Sequence, residues 1–282
     1  MNAVTSPRST DADDSQSLTP FLKWPGGKRW FAANYAYLLP RRFRRYFEPF
    51  LGGGALYFHL RPTKAVLSDI NPELIATYVA LRHSSTALIR LLNGHQRKHG
   101  VKYYYKVRDE LPRTTATKAA RMIYLNRTCF NGIYRVNLRG EFNVPKGTKE
   151  AVVLDTDNFR EMAQLLAKAQ LYVADFEDAI AEAGTDDFIF ADPPYTVRHN
   201  LNGFVKYNEQ LFSWEDQIRL AMVLAAARDR GATIIATNAN HQSVRELYKA
   251  GGFSVTTVLR YSSISADASS RRQFDEIVIR SC

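Results

Sequence analysis

The chain has 282 residues, 45% hydrophobic and 23% charged, with a formal net charge of +10. That length and mix fit a globular protein with one large domain, or a catalytic domain with an insertion, and no run of 18 apolar residues could cross a membrane as a helix. The only cysteines are Cys129 and Cys282, too few for a disulfide framework, so a reducing, cytosolic setting is expected.

Residues 1–20, MNAVTSPRSTDADDSQSLTP, are polar and lack an apolar segment, the composition of a disordered tail and not of a signal peptide. FLKWPGGKRW (Phe21–Trp30) follows, with two tryptophans around a Pro-Gly-Gly turn. YFEPF then predicts a strand, LGGG a turn and ALYFHL a helix. KAVLSDI predicts a second strand, and NPELIATYVALRHSSTALIRLLNGH a helix with Pro72 near its start. From Arg97 to Glu150 the sequence holds 13 Lys/Arg against 4 Asp/Glu. Helical pieces (YYYKVRDEL, TKAARMIYLNR) lead there into a Gly/Asn-rich loop over 131–147. Interleaved aromatics in this segment, among them Tyr103, Tyr124, Phe130 and Tyr134, suit contact with phosphates and bases, although solvated helix faces would look similar.

Beyond this segment come a helix (NFREMAQLLAKA), a strand (QLYVADF) and a strand (DDFIFAD). A polar loop over 196–210 leads to the helix WEDQIRLAMVLAAARDRG, the strand ATIIATNA and a pair of strands, GGFSVTTVLR with FDEIVIR. Alternating strands and helices argue a parallel α/β sheet with crossover connections. The basic middle interrupts the alternation and reads as an insert, 76–150, within a catalytic domain of 21–75 and 151–282.

Three stretches can hold chemistry. In FEPFLGGG, Gly52 and Gly54 permit positive φ and close backbone approach to a ligand. Asp69 closes the next strand, where it can accept from two ribose hydroxyls or, alternatively, cap the following helix. Asp192-Pro193-Pro194-Tyr195 stands at the carboxyl end of a strand. The prolines stop the ladder and stiffen the backbone. The Asp192 carboxylate and a backbone carbonyl could grip the two hydrogens of an amino group, with Tyr195 as a flat platform for the ring that bears it. On this reading Asp192 partners the substrate amine and not another side chain. The six histidines and two cysteines show no metal-ligand spacing, and Cys129 reads as a packed thiol.

FLKWPGGK, FEPFLGGGAL, SDINPELI, NRTCFNGIYRVNLRGEFNVPKG and ADPPY, in this order, resemble the Dam-type DNA adenine methyltransferases over Phe21 to Arg280. The resemblance implies a Rossmann-like methyltransferase fold: a mostly parallel seven-stranded sheet with a C-terminal antiparallel hairpin strand, and an inserted, mainly helical DNA-recognition domain. It implies transfer of a methyl group from S-adenosylmethionine to N6 of adenine in double-stranded DNA, with GATC the expected target, by a monomer without a membrane or obligate protein partner. Asp192, Pro193, Pro194 and Tyr195 fall on its catalytic tetrad. Trp24, Lys28, Phe50, Gly52, Gly54, Asp69, Asp175, Phe176 and Asp192 fall on its cofactor site, with Trp24 and Lys28 toward the methionine part. Lys23, Arg127, Phe130, Asn131, Ile133, Arg135, Arg139 and Pro145 fall where the family meets DNA, and Arg135 is the expected guanine reader. Phe130 departs from the usual tyrosine. The competing readings are methylation of another planar amine, such as an RNA adenine, and a catalytically silent DNA-binding module.

Overall fold

The computed structural model describes residues 18–132, 134–137, 140–196, 212–261 and 273–281. The expected tail lies outside these as far as residue 17, and so does most of the polar loop over 196–210. Leu18 is buried in the core, so packing begins three residues ahead of Phe21.

Seven strands form one sheet in the order β3-β2-β1-β4-β5-β7-β6. They are β1 (Tyr46–Glu48), β2 (Ala65–Asp69), β3 (Ala169–Val173), β4 (Phe188–Ala191), β5 (Thr233–Ala239), β6 (Ser254–Tyr261) and β7 (Gln273–Arg280). β1 to β5 run parallel, while β7 lies antiparallel between β5 and β6. This is the Rossmann-like methyltransferase sheet with its C-terminal hairpin. Every residue of β1 and of β4 is buried, as expected of central strands covered on both faces.

The helices are α1 (Arg29–Tyr35), α2 (Ala55–Leu60), α3 (Pro72–Lys98), α4 (Val101–Asp109), α5 (Thr115–Thr128), α6 (Phe159–Leu166), α7 (Phe176–Ile180), α8 (Trp214–Asp229) and α9 (Gln242–Ala250). The period-2 alternation of the strands divides the core between the two faces. Phe190, Ile235 and Val278 join Phe31, Phe58, Tyr78 and Tyr124 on one side. Ile189, Ile234 and Ile277 join Phe176, Leu220, Leu224 and Tyr248 on the other. Local chemistry sets the helix starts. Asn71 accepts from the N–H groups of Glu73 and Leu74, with Pro72 at the first helical position. Ser213 and Asp216 form a reciprocal capping box before α8.

The long connection from β2 to β3 contains α3 to α6 and the basic segment. α3, interrupted by non-helical backbone at Ser84, packs on β2, β3, α5 and α6. Residue 76 therefore falls inside a helix, and the segment shares one hydrophobic cluster with the sheet. No described helix is long and apolar enough to cross a membrane.

β1 brings one acid into this core. Glu48 is 4% exposed and accepts from the Tyr46 hydroxyl at 2.9 Å. Burial pushes its carboxyl up to about 8, against the Tyr46 hydrogen bond and with Asp192 adding to the rise. A glutamate in the unfolded chain gives up its proton at about pH 4.3. The folded state thus retains a proton that the unfolded state loses, and stability from this group falls as pH rises from the unfolded value to the folded one. Glu48→Gln, neutral throughout, should flatten the decline. Thermal melts at about pH 5 and about pH 8 are expected to differ less for the variant than for the wild type. Parallel melting shifts in the two proteins would contradict this assignment.

Candidate active site

β1 and β4 are neighbours, and their carboxyl ends open side by side at the switch point of the sheet, where open α/β sheets bind ligands. The glycine turn leaves β1 there. Leu51 N–H donates to Ser68 O at 2.9 Å and Gly54 N–H to Leu51 O at 2.7 Å. Gly52 and Gly54 adopt φ of +48° and +64°, a region that disfavours side chains. The Tyr78 hydroxyl holds the Gly52 carbonyl at 2.9 Å. Trp24 lies directly against the turn, since a Cβ at Gly52 would come within 2.7 Å of its Cδ1.

Asp69 ends β2 beside this turn. Its Oδ2 accepts from Gly52 N–H and its Oδ1 from Asn71 N–H, both at 3.0 Å. Burial raises its pKa while these two bonds oppose the rise. The helix cap is supplied by Asn71, so Asp69 is not the capping residue but a carboxylate pinned to the glycine turn. Each of its oxygens keeps acceptor capacity for a diol. Turn, acid and indole thus suit a nucleoside cofactor.

Phe50 leaves the same strand end and stacks on Phe176 with ring centroids 5.5 Å apart. Phe176 is buried; it also packs on Phe212 at 5.7 Å and meets Arg219, whose guanidinium carbon lies 4.2 Å from the ring centroid. The Asp175 carboxylate is engaged, capping α7 through Glu177 N–H and pairing with Arg219 at 2.7 Å. What these two residues offer at this edge is the wall behind Phe50.

Asp192 follows β4, and its surroundings correct the expectation that it has no protein partner. Lys28 Nζ lies 2.8 Å from its Oδ1, and the Thr237 hydroxyl donates to that same oxygen at 2.7 Å. Oδ2 has no partner among the described residues. Burial raises the pKa of Asp192, opposed by Lys28 and by the Thr237 bond. Lys28 precedes α1, whose Phe31 packs on Phe190 at 5.7 Å. That contact delivers the ammonium to the sheet, where it also donates to Gly26 O at 2.9 Å. Lys28 was expected at the methionine part of a cofactor; in the structure its ammonium pairs with Asp192. Tyr195 is not a free platform either: it is half-buried, and its hydroxyl donates to Glu276 Oε2 at 2.5 Å. Lys28 Nζ lies 4.9 Å from its ring centroid.

Of the residues expected at DNA, five form one exposed group. Lys23, Phe130, Asn131, Arg135 and Pro145 all reach solvent. Phe130 N–H donates to Pro145 O at 2.9 Å, and Asn131 sits in the left-handed region at φ +56°. A Cβ at Gly132 would come within 2.6 Å of Lys23 Cδ, which brings Lys23 to the same loop. Arg127 does not belong with them, contrary to expectation. It is 4% exposed, makes a bidentate ion pair with Asp157 at 2.6 Å and donates to the carbonyls of Phe21 and Val152. A guanidinium satisfied on every side under the surface has no donor left for a phosphate. Ile133 and Arg139 lie outside the described residues.

Sequence reasoning missed three participants, Glu276, Thr237 and Asn126, and gave Tyr134 no contact with the glycine turn. Glu276 and Thr237 come from strands whose polar residues look like ordinary alternation. Asn126, fully buried, clamps the Lys23 backbone through both its amide atoms, at 2.9 and 2.8 Å. Tyr134 stacks on Trp24 with centroids 6.3 Å apart and donates to Glu73, which links the exposed loop to the glycine turn. A polar residue after the apolar run MIYL was the available signal for Asn126.

Comparison with known proteins agrees with this geometry. A family model described as D12 class N6 adenine-specific DNA methyltransferase matches residues 24–264. The Type II methyltransferase M1.LlaDCHI of Lactococcus lactis subsp. cremoris is 36% identical, over 93% of this chain and 95% of its own length. The Type II methyltransferase M.MjaIII of Methanocaldococcus jannaschii is 33% identical, over 90% and 96%. The DNA adenine methylase of Escherichia coli K12 is 28% identical, over 92% and 93%.

Proposed function

The chain belongs to the D12 class N6 adenine-specific DNA methyltransferases, and we propose that it moves the methyl group of S-adenosylmethionine onto N6 of an adenine flipped out of duplex DNA at GATC sites. The observation that supports this most directly is the Asp192 carboxylate. One oxygen is fixed by Lys28 and Thr237, and the other is left over at the carboxyl end of β4.

A base in a duplex cannot reach such a carboxylate, so it leaves the stack at a cost of about a few kcal/mol. Stacking on Tyr195, at about 1–3 kcal/mol, offsets part of this. Asp192 Oδ2 accepts a hydrogen bond from one N–H of the amine and the Pro193 carbonyl from the other, with Pro194 stiffening the elbow; the proton that N6 sheds once methylated passes by way of Asp192 Oδ2 to solvent. An adenine amine is a poor nucleophile because its lone pair delocalises into the ring. Acceptors that favour the pyramidal nitrogen stabilise the transition state more than the ground state. The cofactor, when bound, supplies a methyl on a positively charged sulfur that departs as a neutral thioether. Gly52, Gly54, Asp69, Phe50 and Trp24 would hold it, with Asp69 on the ribose and Phe50 beside the adenine.

Residues 76–150 would supply target recognition to a chain acting as a monomer. Lys23, Phe130, Asn131, Arg135 and Pro145 would face the duplex, Phe130 as an apolar wedge and Arg135 as a bidentate reader of guanine.

Asp192→Ala is expected to retain cofactor binding by calorimetry while methyl transfer to plasmid DNA falls below detection; turnover near the wild-type rate would overturn the assignment. Arg135→Ala is expected to reduce discrimination at one guanine by about 1–3 kcal/mol, with non-specific binding retained. Competition between GATC and single-base variants measures this, and unchanged selectivity would remove Arg135 from the readout.

A further inference from the structure

Glu276 is a buried acid that the proposed chemistry does not use. It sits near the start of β7, a strand paired on both sides, with Ala239 of β5 and Val258 of β6 opposite it. The register puts Thr237 opposite Val278, so Thr237 and Glu276 project from one face two positions apart. This is the face that α1 covers, and the Lys28 ammonium enters it from above. Two contacts converge on Glu276 Oε2: the Tyr195 hydroxyl at 2.5 Å and Lys28 Nζ at 3.5 Å. Two converge likewise on Asp192 Oδ1, from Lys28 at 2.8 Å and Thr237 at 2.7 Å. A continuous chain of contacts therefore runs from Thr237 through Asp192, Lys28 and Glu276 to Tyr195. The side chains of Lys28 and Glu276 are 3% and 5% exposed, so solvent does little to screen it.

We propose that Glu276 is a positioning residue for methyl transfer, holding the Tyr195 ring and drawing Lys28 away from full neutralisation of Asp192. This rests on the reading of Asp192 and Tyr195 as the seat of the adenine amine. Two consequences follow from the contacts. First, the hydrogen bond fixes the rotation of the Tyr195 ring, so a base stacked on it meets Asp192 Oδ2 in one orientation, the entropic component of catalysis. Second, the Lys28 ammonium is shared between the Asp192 and Glu276 carboxylates. As the amine nitrogen attacks the methyl carbon it acquires positive charge, and an Asp192 less fully paired with that ammonium stabilises the state better. Without Glu276, Lys28 and Asp192 would form a closed, neutral pair, and Oδ2 would be a weaker acceptor. Glu276 acts on the amine through the two groups it contacts, Tyr195 and Lys28.

The test is single-turnover methylation of a GATC duplex by wild type, Glu276→Gln, Tyr195→Phe and the double variant, with affinity for S-adenosylmethionine and for DNA measured beside it. Glu276→Gln keeps the shape and removes the charge. It should lower the rate by about tenfold or more, as loss of one preorganised electrostatic partner does, with both affinities within about twofold of wild type. Tyr195→Phe keeps the stacking ring and removes the hydroxyl that donates to Glu276. It should slow the wild type but cost little further in the Glu276→Gln background. A Glu276→Gln rate equal to wild type, or fully additive losses in the double variant, would overturn the proposal. If Glu276→Gln does not fold, Tyr195→Phe alone decides: a reduced rate at unchanged affinities supports the proposal and a wild-type rate overturns it. Wild type that methylates while Glu276→Gln matches it removes the Glu276 assignment alone. Wild type that leaves adenine unmodified removes the reading of the site beneath it.

Discussion

The buried ammonium of Lys28, between Asp192 and Glu276, is the interaction on which the rest of the site depends. Taking a lysine out of water costs several kcal/mol, and two carboxylates brought together without a cation would repel each other. Each of these burials is tolerable only because the others are present. Lys28 donates to the Gly26 carbonyl and pairs with Asp192 at 2.8 Å and with Glu276 at 3.5 Å. The fold assembles the cluster from four separate places: the turn before α1, the end of β4, the middle of β5 and the start of β7. Its geometry can therefore be no better than the packing of α1 on the sheet, and the Phe31–Phe190 contact sets that packing.

The same turn before α1 ties the catalytic cluster to the two neighbouring regions. Trp24 fills the concavity behind Gly52 and stacks on Tyr134, whose loop continues to Arg135. Lys23, one residue earlier, is held by Asn126 of α5. Six residues, Lys23 to Lys28, thus touch the glycine turn, the exposed basic loop and the acid at β4. Arg127 explains why the loop keeps its place. Its buried pair with Asp157 and its bonds to the Phe21 and Val152 carbonyls lock α5 to the chain on either side. A residue type suited to phosphate contact has been used as an internal strut.

Much of this was legible from residues because local chemistry and global fold agree. The short apolar runs in FIFAD and ATIIATNA, the glycines after YFEPF and the Asn-Pro-Glu start of α3 each specify what forms there. α9 went unread because its apolar residues are sparse, with Val244 and Tyr248 its only buried positions. α7 is a five-residue turn of helix, too short for a period to show. In the site, Asp69 and Asp192 were found because each follows a strand and precedes a break. Their partners were not, for physical reasons. Whether Lys28 meets a cofactor or an acid depends on the docking of α1, and whether Glu276 faces solvent or Tyr195 depends on strand order, β7 lying inside the sheet and not at its edge. Neither is a local property of the sequence.

The central claim is that a carboxylate held by Lys28 and Thr237 presents one oxygen to the amine of an extrahelical adenine. Mapping of modified bases on unmethylated plasmid, incubated with S-adenosylmethionine and either wild type or Asp192→Ala, tests it most directly. N6-methyladenine is expected at GATC sites with wild type and none with the variant. Methyladenine deposited equally by both proteins, or by neither, would contradict it.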